Sequence, residues 1–118
     1  MRFYTPEWNV KRRAKRLKKV LRTHGYDVSY TACLDLMARL YGFAHYRELQ
    51  HAIGGQPLSL FDEYVDDETL EGRFLHQELV MAEEGLAEIA GAVLDDVNPT
   101  GSGNRPALLN DAGEVTVG

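Results

Sequence analysis

Eight Lys or Arg fall within the twelve residues KRRAKRLKKVLR, Lys11 to Arg22, with no acid among them. That density suits phosphate, because each neutralised phosphate releases condensed counterions. Arginine adds a planar fork that can meet two phosphate oxygens. At helical spacing Lys11, Lys15, Lys18 and Arg22 lie on one flank of an apolar stripe. Arg12, Arg16 and Lys19 lie on the other flank, and Arg13 lies opposite the stripe. Like charges four apart mildly destabilise a helix, so this run exceeds what solubility requires. Three readings follow: an external nucleic acid, an acidic protein surface (including the chain's own), or a solvated face.

Other residues that could do chemistry are sparse. Glu48-x-x-His51 has the i,i+3 spacing used once per helix in two-metal carboxylate bundles, but those sites need it twice with two further Glu. One copy is present. Cys33 falls on an apolar helix face, where a thiol is ordinarily core. His24 beside Gly25 suits a helix C-terminus, and His76 reads as solvent-facing. No glycine-rich phosphate loop and no nucleophile elbow occur. No catalytic residue, metal site or cofactor is expected, and the chain reads as non-enzymatic.

The charge is divided along the chain. Met1 to His24 carry nine Lys or Arg and one acid, a surplus of +8; Gly25 to Gly118 carry four Arg and seventeen acids, or −13, which together give the formal −5. Such asymmetry points to a polyanionic partner for one end or to pairing between the ends. Twelve acids and a single Arg, Arg73, lie between Asp62 and Asp96. In the same segment Leu75, Ala82 and Ile89 are seven apart, as are Leu79, Leu86 and Val93. The two rows make an a/d pattern over nearly three heptads. Leu75, Leu79, Leu86, Ile89 and Val93 are therefore the candidate partner-binding residues of one long acidic amphipathic helix, about 66–96. It could dock a protein, dimerise or cover the basic helix.

The elements that must position these residues are helical. Thr5 as cap and Pro6 at the first helical position open a first helix, with Val10, Ala14, Leu17 and Leu21 inward and Gly25 at its end. Ser29 caps a second helix, about 30–41, that buries Cys33, Leu34, Met37, Leu40 and Tyr41 and stops at Gly42. A third, AHYRELQHAI, turns Tyr46, Leu49 and Ile53 inward. The second and third helices resemble a helix-turn-helix in which His45, Arg47, Gln50 and His51 face base edges or phosphates; the alternative is a plain helical hairpin. The fold class expected is all-α. Residues 1–56 form a basic three-helix unit and 57–97 the acidic helix. Residues 98–118 form a flexible tail whose last stretch, RPALLNDAGEVTVG, could be a small hairpin with its turn near Asn110 to Gly113.

With 118 residues, ordinary apolar content and a lone cysteine, the chain reads as one cytoplasmic domain. No apolar run reaches the length of a membrane span.

The stretch AKRLKKVLRTHGYDVSYTACLDLMARLYGFAHYREL, Ala14 to Leu49, is similar to a small bacterial helical module, the glyoxalase-related (glyoxalase superfamily) accessory domain. Leu17, Leu21, Gly25, Ser29, Ala32, Leu34, Leu36, Ala38, Gly42, Phe43, Tyr46 and Leu49 carry the likeness. The label implies metal-dependent βαβββ enzymes. This sequence has neither those strands nor the spaced His and Glu ligands, so that activity is not carried over. The expectation is a nucleic-acid-binding or regulatory protein. A protein–protein adaptor or inhibitor, laid out like a small antitoxin, is the alternative.

Overall fold

A computed structural model describes residues 1–103. Among them are five α-helices and no strand. Helix α1 is Glu7–Thr23, α2 Tyr30–Leu40, α3 Tyr46–Ala52, α4 Asp67–Glu83 and α5 Ala90–Val97. Short 3-10 turns precede α4, at Asp62–Tyr64, and α5, at Ala87–Ile89. No described helix is long and apolar enough to cross a membrane.

The periodicity of the first two helices translates directly into packing. Val10, Ala14, Leu17 and Leu21 of α1 are fully buried, as are Cys33, Met37 and Leu40 of α2. These two helices pack on each other, α3 packs on α2, and α5 packs on α1. Ser29 Oγ accepts from Ala32 N at 3.2 Å, the cap its position predicts. The start of α1 differs from expectation. Pro6 is the extended flanking residue, with no side-chain cap; the Thr5 hydroxyl instead accepts from Asn9 Nδ2 at 2.9 Å.

Helices α1, α2 and α4 end alike. A glycine follows each C-cap residue and an apolar residue follows the glycine. The amides of Tyr26, Phe43 and Leu86 reach back to the carbonyls of Leu21, Ala38 and Met81. Those of Gly25, Gly42 and Gly85 reach Arg22, Arg39 and Ala82. These bonds make the Schellman closure, which satisfies carbonyls left over at a helix end. At Gly85 (φ 78) the closure corrects the expectation of one helix over 66–96. The chain breaks there, and the a/d seam breaks with it. Leu75 and Leu79 point outward, 66% and 58% exposed. The face of α4 that is buried carries Arg73, Gln77, Val80 and Met81 instead. Leu86 and Val93 are buried in the common core, and Ile89 packs against it.

The segment after α5 is a second correction. Residues 98–103 were expected to open a flexible tail, yet Pro99, Thr100 and Gly101 are buried. Tyr41 Oη donates to Pro99 O at 2.8 Å, and Thr100 Oγ1 donates to Asp62 Oδ2 at 2.9 Å. Gln77 Nε2 donates to Thr100 Oγ1 at 3.0 Å. The hairpin expected with its turn near Asn110 to Gly113 lies outside the described residues.

Phe3 ties the N-terminal stretch to this strap. Its ring stacks on Tyr41 at 5.2 Å between centroids, and the Arg73 guanidinium sits 4.9 Å from the Phe3 ring centroid. Arg73 also pairs with Asp62 at 2.9 Å, inside the fold. Two acids of the acid-rich half, Glu83 and Glu84, are held by Arg39 of α2.

Candidate functional site

The apolar stripe of α1 faces α2 and α5, so its opposite side faces outward. Lys11, Arg12, Lys15, Arg16, Lys19 and Arg22 are exposed and Lys18 is half-buried. At 3.6 residues per turn, two rows run along this face. Lys11, Lys15, Lys18 and Arg22 make one, and Arg12, Arg16 and Lys19 the other. Both rows begin at Trp8, which was not among the contacts expected from the sequence. Trp8 is 65% exposed, and the Arg12 guanidinium lies 5.6 Å from its ring centroid. From Trp8 to Arg22 the face is about 21 Å long at 1.5 Å per residue. The signal for Trp8 was present in the sequence: it stands three and four residues before Lys11 and Arg12, opposite the apolar positions.

Arg13 does not belong to this face, which corrects its place among the candidate phosphate contacts. It is 5% exposed. Its Nη1 donates to Val97 O at 2.9 Å and its Nη2 to Gly101 O at 2.6 Å. Its Nε donates to Asn9 Oδ1 at 3.3 Å. Burial depresses its pKa. Even so, a guanidinium remains charged from its very high starting value. Arg13 thus fixes the C-terminus of α5 and the strap against α1.

Few acids reach the basic face. Arg16 pairs with Asp96 of α5, and Lys11 lies 3.8 Å from Glu7 one turn earlier. Lys15, Lys18, Lys19 and Arg22 have no ion-pair partner among the described residues. Helix α4, which carries much of the acidity, packs on α2 and α5.

The contribution of α3 is smaller than a reading helix would make. It has seven residues, of which Leu49 alone is buried. His45 is its N-cap: Nδ1 accepts from Glu48 N at 3.1 Å. The Glu48 carboxylate accepts from Ala44 N at 2.6 Å and lies 3.6 Å from Arg2. This reciprocal arrangement resembles a capping box. It occupies the Glu48 of the Glu48-x-x-His51 pair. Gln50 Nε2 donates to Glu7 Oε2 at 2.9 Å, and Tyr46 Oη donates to the same oxygen. Those two bonds, the Tyr46 one first, hold the Glu7 carboxyl below the usual carboxylate range. Burial, then the bond to Glu7, push the Tyr46 phenol up. Glu7 thereby joins Gln50 to the Lys11 end of the basic face. Arg47 is exposed with no partner among the described residues. Among those residues no three or more His, Cys, Asp or Glu are grouped to hold a metal ion. Burial raises the Cys33 thiol pKa, which leaves it a core thiol.

A family model described as glyoxalase superfamily protein matches residues 4–92. The chain belongs to that family. The match takes in α1 to α4 and the start of α5, so it extends well beyond the Ala14–Leu49 stretch that carried the likeness in sequence. The glyoxalase-superfamily match also includes Trp8 and every cation of the basic face. No curated protein and no solved structure matches.

Proposed function

We propose that this chain is a non-enzymatic, cytoplasmic nucleic-acid-binding protein that grips phosphates with the outer face of α1. The observation that carries the reading is that four cations of that face, Lys15, Lys18, Lys19 and Arg22, keep no acidic partner among the described residues in a chain of net charge −5. Lys11, Arg12 and Arg16 extend the face, and Gln50 adjoins its Lys11 end through Glu7. Arg47 and the Nε2 edge of His45 are peripheral contacts in this reading. The test is fluorescence anisotropy with labelled duplex DNA and RNA at low and near-physiological salt. Binding should weaken steeply with salt, with log K against log salt falling by about 0.9 for each phosphate engaged on duplex DNA. No affinity at low salt for either nucleic acid would end the reading.

A second reading is favoured by one observation. Leu75 and Leu79 of α4 are outward and exposed, with Glu71 and Glu78 beside them. In that reading α4 docks a protein partner or a second copy, as an adaptor or inhibitor would. Leu86, Ile89 and Val93 belong to the chain's own core and leave the contact set. A partner recovered by co-purification that is kept when both Leu75 and Leu79 become Ser would argue against this surface.

A further inference from the structure

Trp8 has no structural task that explains its exposure. It stands on the solvent side of α1, and its indole N–H has no hydrogen-bond partner among the described residues. A single exposed aromatic is ordinary on a protein surface; what marks Trp8 is its place among the cations. It heads both cationic rows, one turn before Lys11 and Arg12 and two turns before Lys15. An aromatic platform leading into a line of phosphate-seeking cations is the arrangement that holds single-stranded nucleic acid. Bases stack on the ring while the backbone follows the charge. Duplex bases are covered on both faces by their neighbours, so a surface ring stacks on an unpaired base without the unstacking cost that a duplex imposes. The same ring on a lipid surface would need an apolar face around it. Here the residues one turn on from Trp8 are Lys11 and Arg12, and the apolar face of α1 is spent on the core.

We infer that Trp8 is a stacking platform for an unpaired base, which gives α1 a preference for single-stranded over double-stranded nucleic acid. The inference rests on the reading of α1 proposed above. Arg12 beside the ring adds a cation to the stack, and Lys15, Lys19 and Arg22 take the phosphates that follow.

Trp8 is the sole tryptophan of the chain, so its emission reports on this one site. The probes are a thymidine oligomer of about twelve nucleotides, an abasic strand with the same number of phosphates, a duplex of that length, and phosphatidylserine vesicles. The thymidine oligomer should quench Trp8 emission at saturation and the abasic strand should not. Trp8→Ala should weaken oligomer binding roughly 5- to 150-fold, the range for loss of one base–aromatic stack. Its affinity for the duplex and the abasic strand should stay within about twofold, and Trp8→Phe should recover most of the loss. Because Trp8 lies outside the core, circular dichroism of Trp8→Ala should match the parent. If the oligomer and abasic strand bind alike and Trp8→Ala changes neither, the stacking inference fails while the phosphate reading of α1 stands. If emission shifts only with vesicles, the ring is a membrane contact and the inference also fails. If no strand binds at low salt, the reading of α1 falls and takes this one with it.

Discussion

Arg13 and Lys15 are two residues apart in a single basic run, yet the fold gives them opposite work. Arg13 donates to two carbonyls in the interior, and a buried acceptor stripped of its donor costs about 1–3 kcal/mol. Arg13→Ala should therefore destabilise the chain by about 2–5 kcal/mol in urea denaturation, a large share of a domain's total. Lys15→Ala with Lys19→Ala should move stability by no more than about 0.5 kcal/mol and should flatten the salt dependence of DNA binding by about two phosphates' worth. A reversed pattern, with Arg13 dispensable for folding, would overturn the division. Composition could not separate the two residues, because every cation in the run has the same propensity and charge. What separates them is helical phase and the arrival of α5: Arg13, three after Val10 and four before Leu17, borders the buried stripe where α5 packs, and Lys15 does not. Gly42 is a second residue-scale case. Its φ is 92°, and a Cβ there would come within 1.7 Å of Met1 O, whereas one at Gly85 would meet nothing within 4 Å. Gly85→Ala should cost about 1–2 kcal/mol for the left-handed backbone, and Gly42→Ala about 1–3 kcal/mol more. Deleting Met1 and Arg2 should narrow that difference in the same denaturation assay; no narrowing would mean the close approach is not its cause.

At the scale of elements, α1 and α2 were legible because their apolar spacing, caps and glycines agree with one another. The break between α4 and α5 was legible too, but in a different signal. Gly85-Leu86 repeats the glycine-then-apolar ending of Gly25-Tyr26 and Gly42-Phe43, while the heptad rows run through it and suggest continuity. The backbone follows the glycine, because the Schellman closure buries Leu86 and the straight helix would not. The strap at 98–103 was illegible because short polar and glycine-rich sequence reads as a joint wherever its partners are distant in the chain. Its anchors, Arg13, Tyr41, Asp62, Glu63 and Gln77, come from elsewhere in the chain. One of them, Glu63, ties the strap to pH. Burial pushes the Glu63 carboxyl up, but bonds from the Ser102 hydroxyl and amide pull it further down, so it lies below its ordinary value. A depressed carboxylate contributes stability that is complete above its unfolded pKa and is lost as pH falls through the folded one. The strap should hold at neutral pH and loosen below about pH 4.3, the usual glutamate value. Hydrogen exchange at the Ser102 amide should accelerate there beyond its intrinsic pH dependence. Glu63→Gln should remove that extra acceleration; its persistence in the variant would assign it to another group.

For the whole molecule, the question is whether an acidic protein can present a basic helix without covering it. Helix α4 packs on α2 and α5, and its outer face carries Glu68, Glu71 and Glu78, which have no ion-pair partner among the described residues. In this arrangement these acids reach a polyanion on α1 only through their long-range field. That field is screened within about 8 Å at physiological salt but extends to about 30 Å at 0.01 M. Changing all three to Gln, which brings the formal charge from −5 to −2, should raise oligonucleotide affinity several-fold at about 0.01 M salt and leave it unchanged at about 0.15 M. Asp96→Asn is the contrasting variant. It frees Arg16 from a direct ion pair, so its gain should survive physiological salt better than that of the triple variant. Were the triple Gln variant to keep its gain at 0.15 M, α4 would be lying over α1 in the unbound protein, and binding would require the two helices to part.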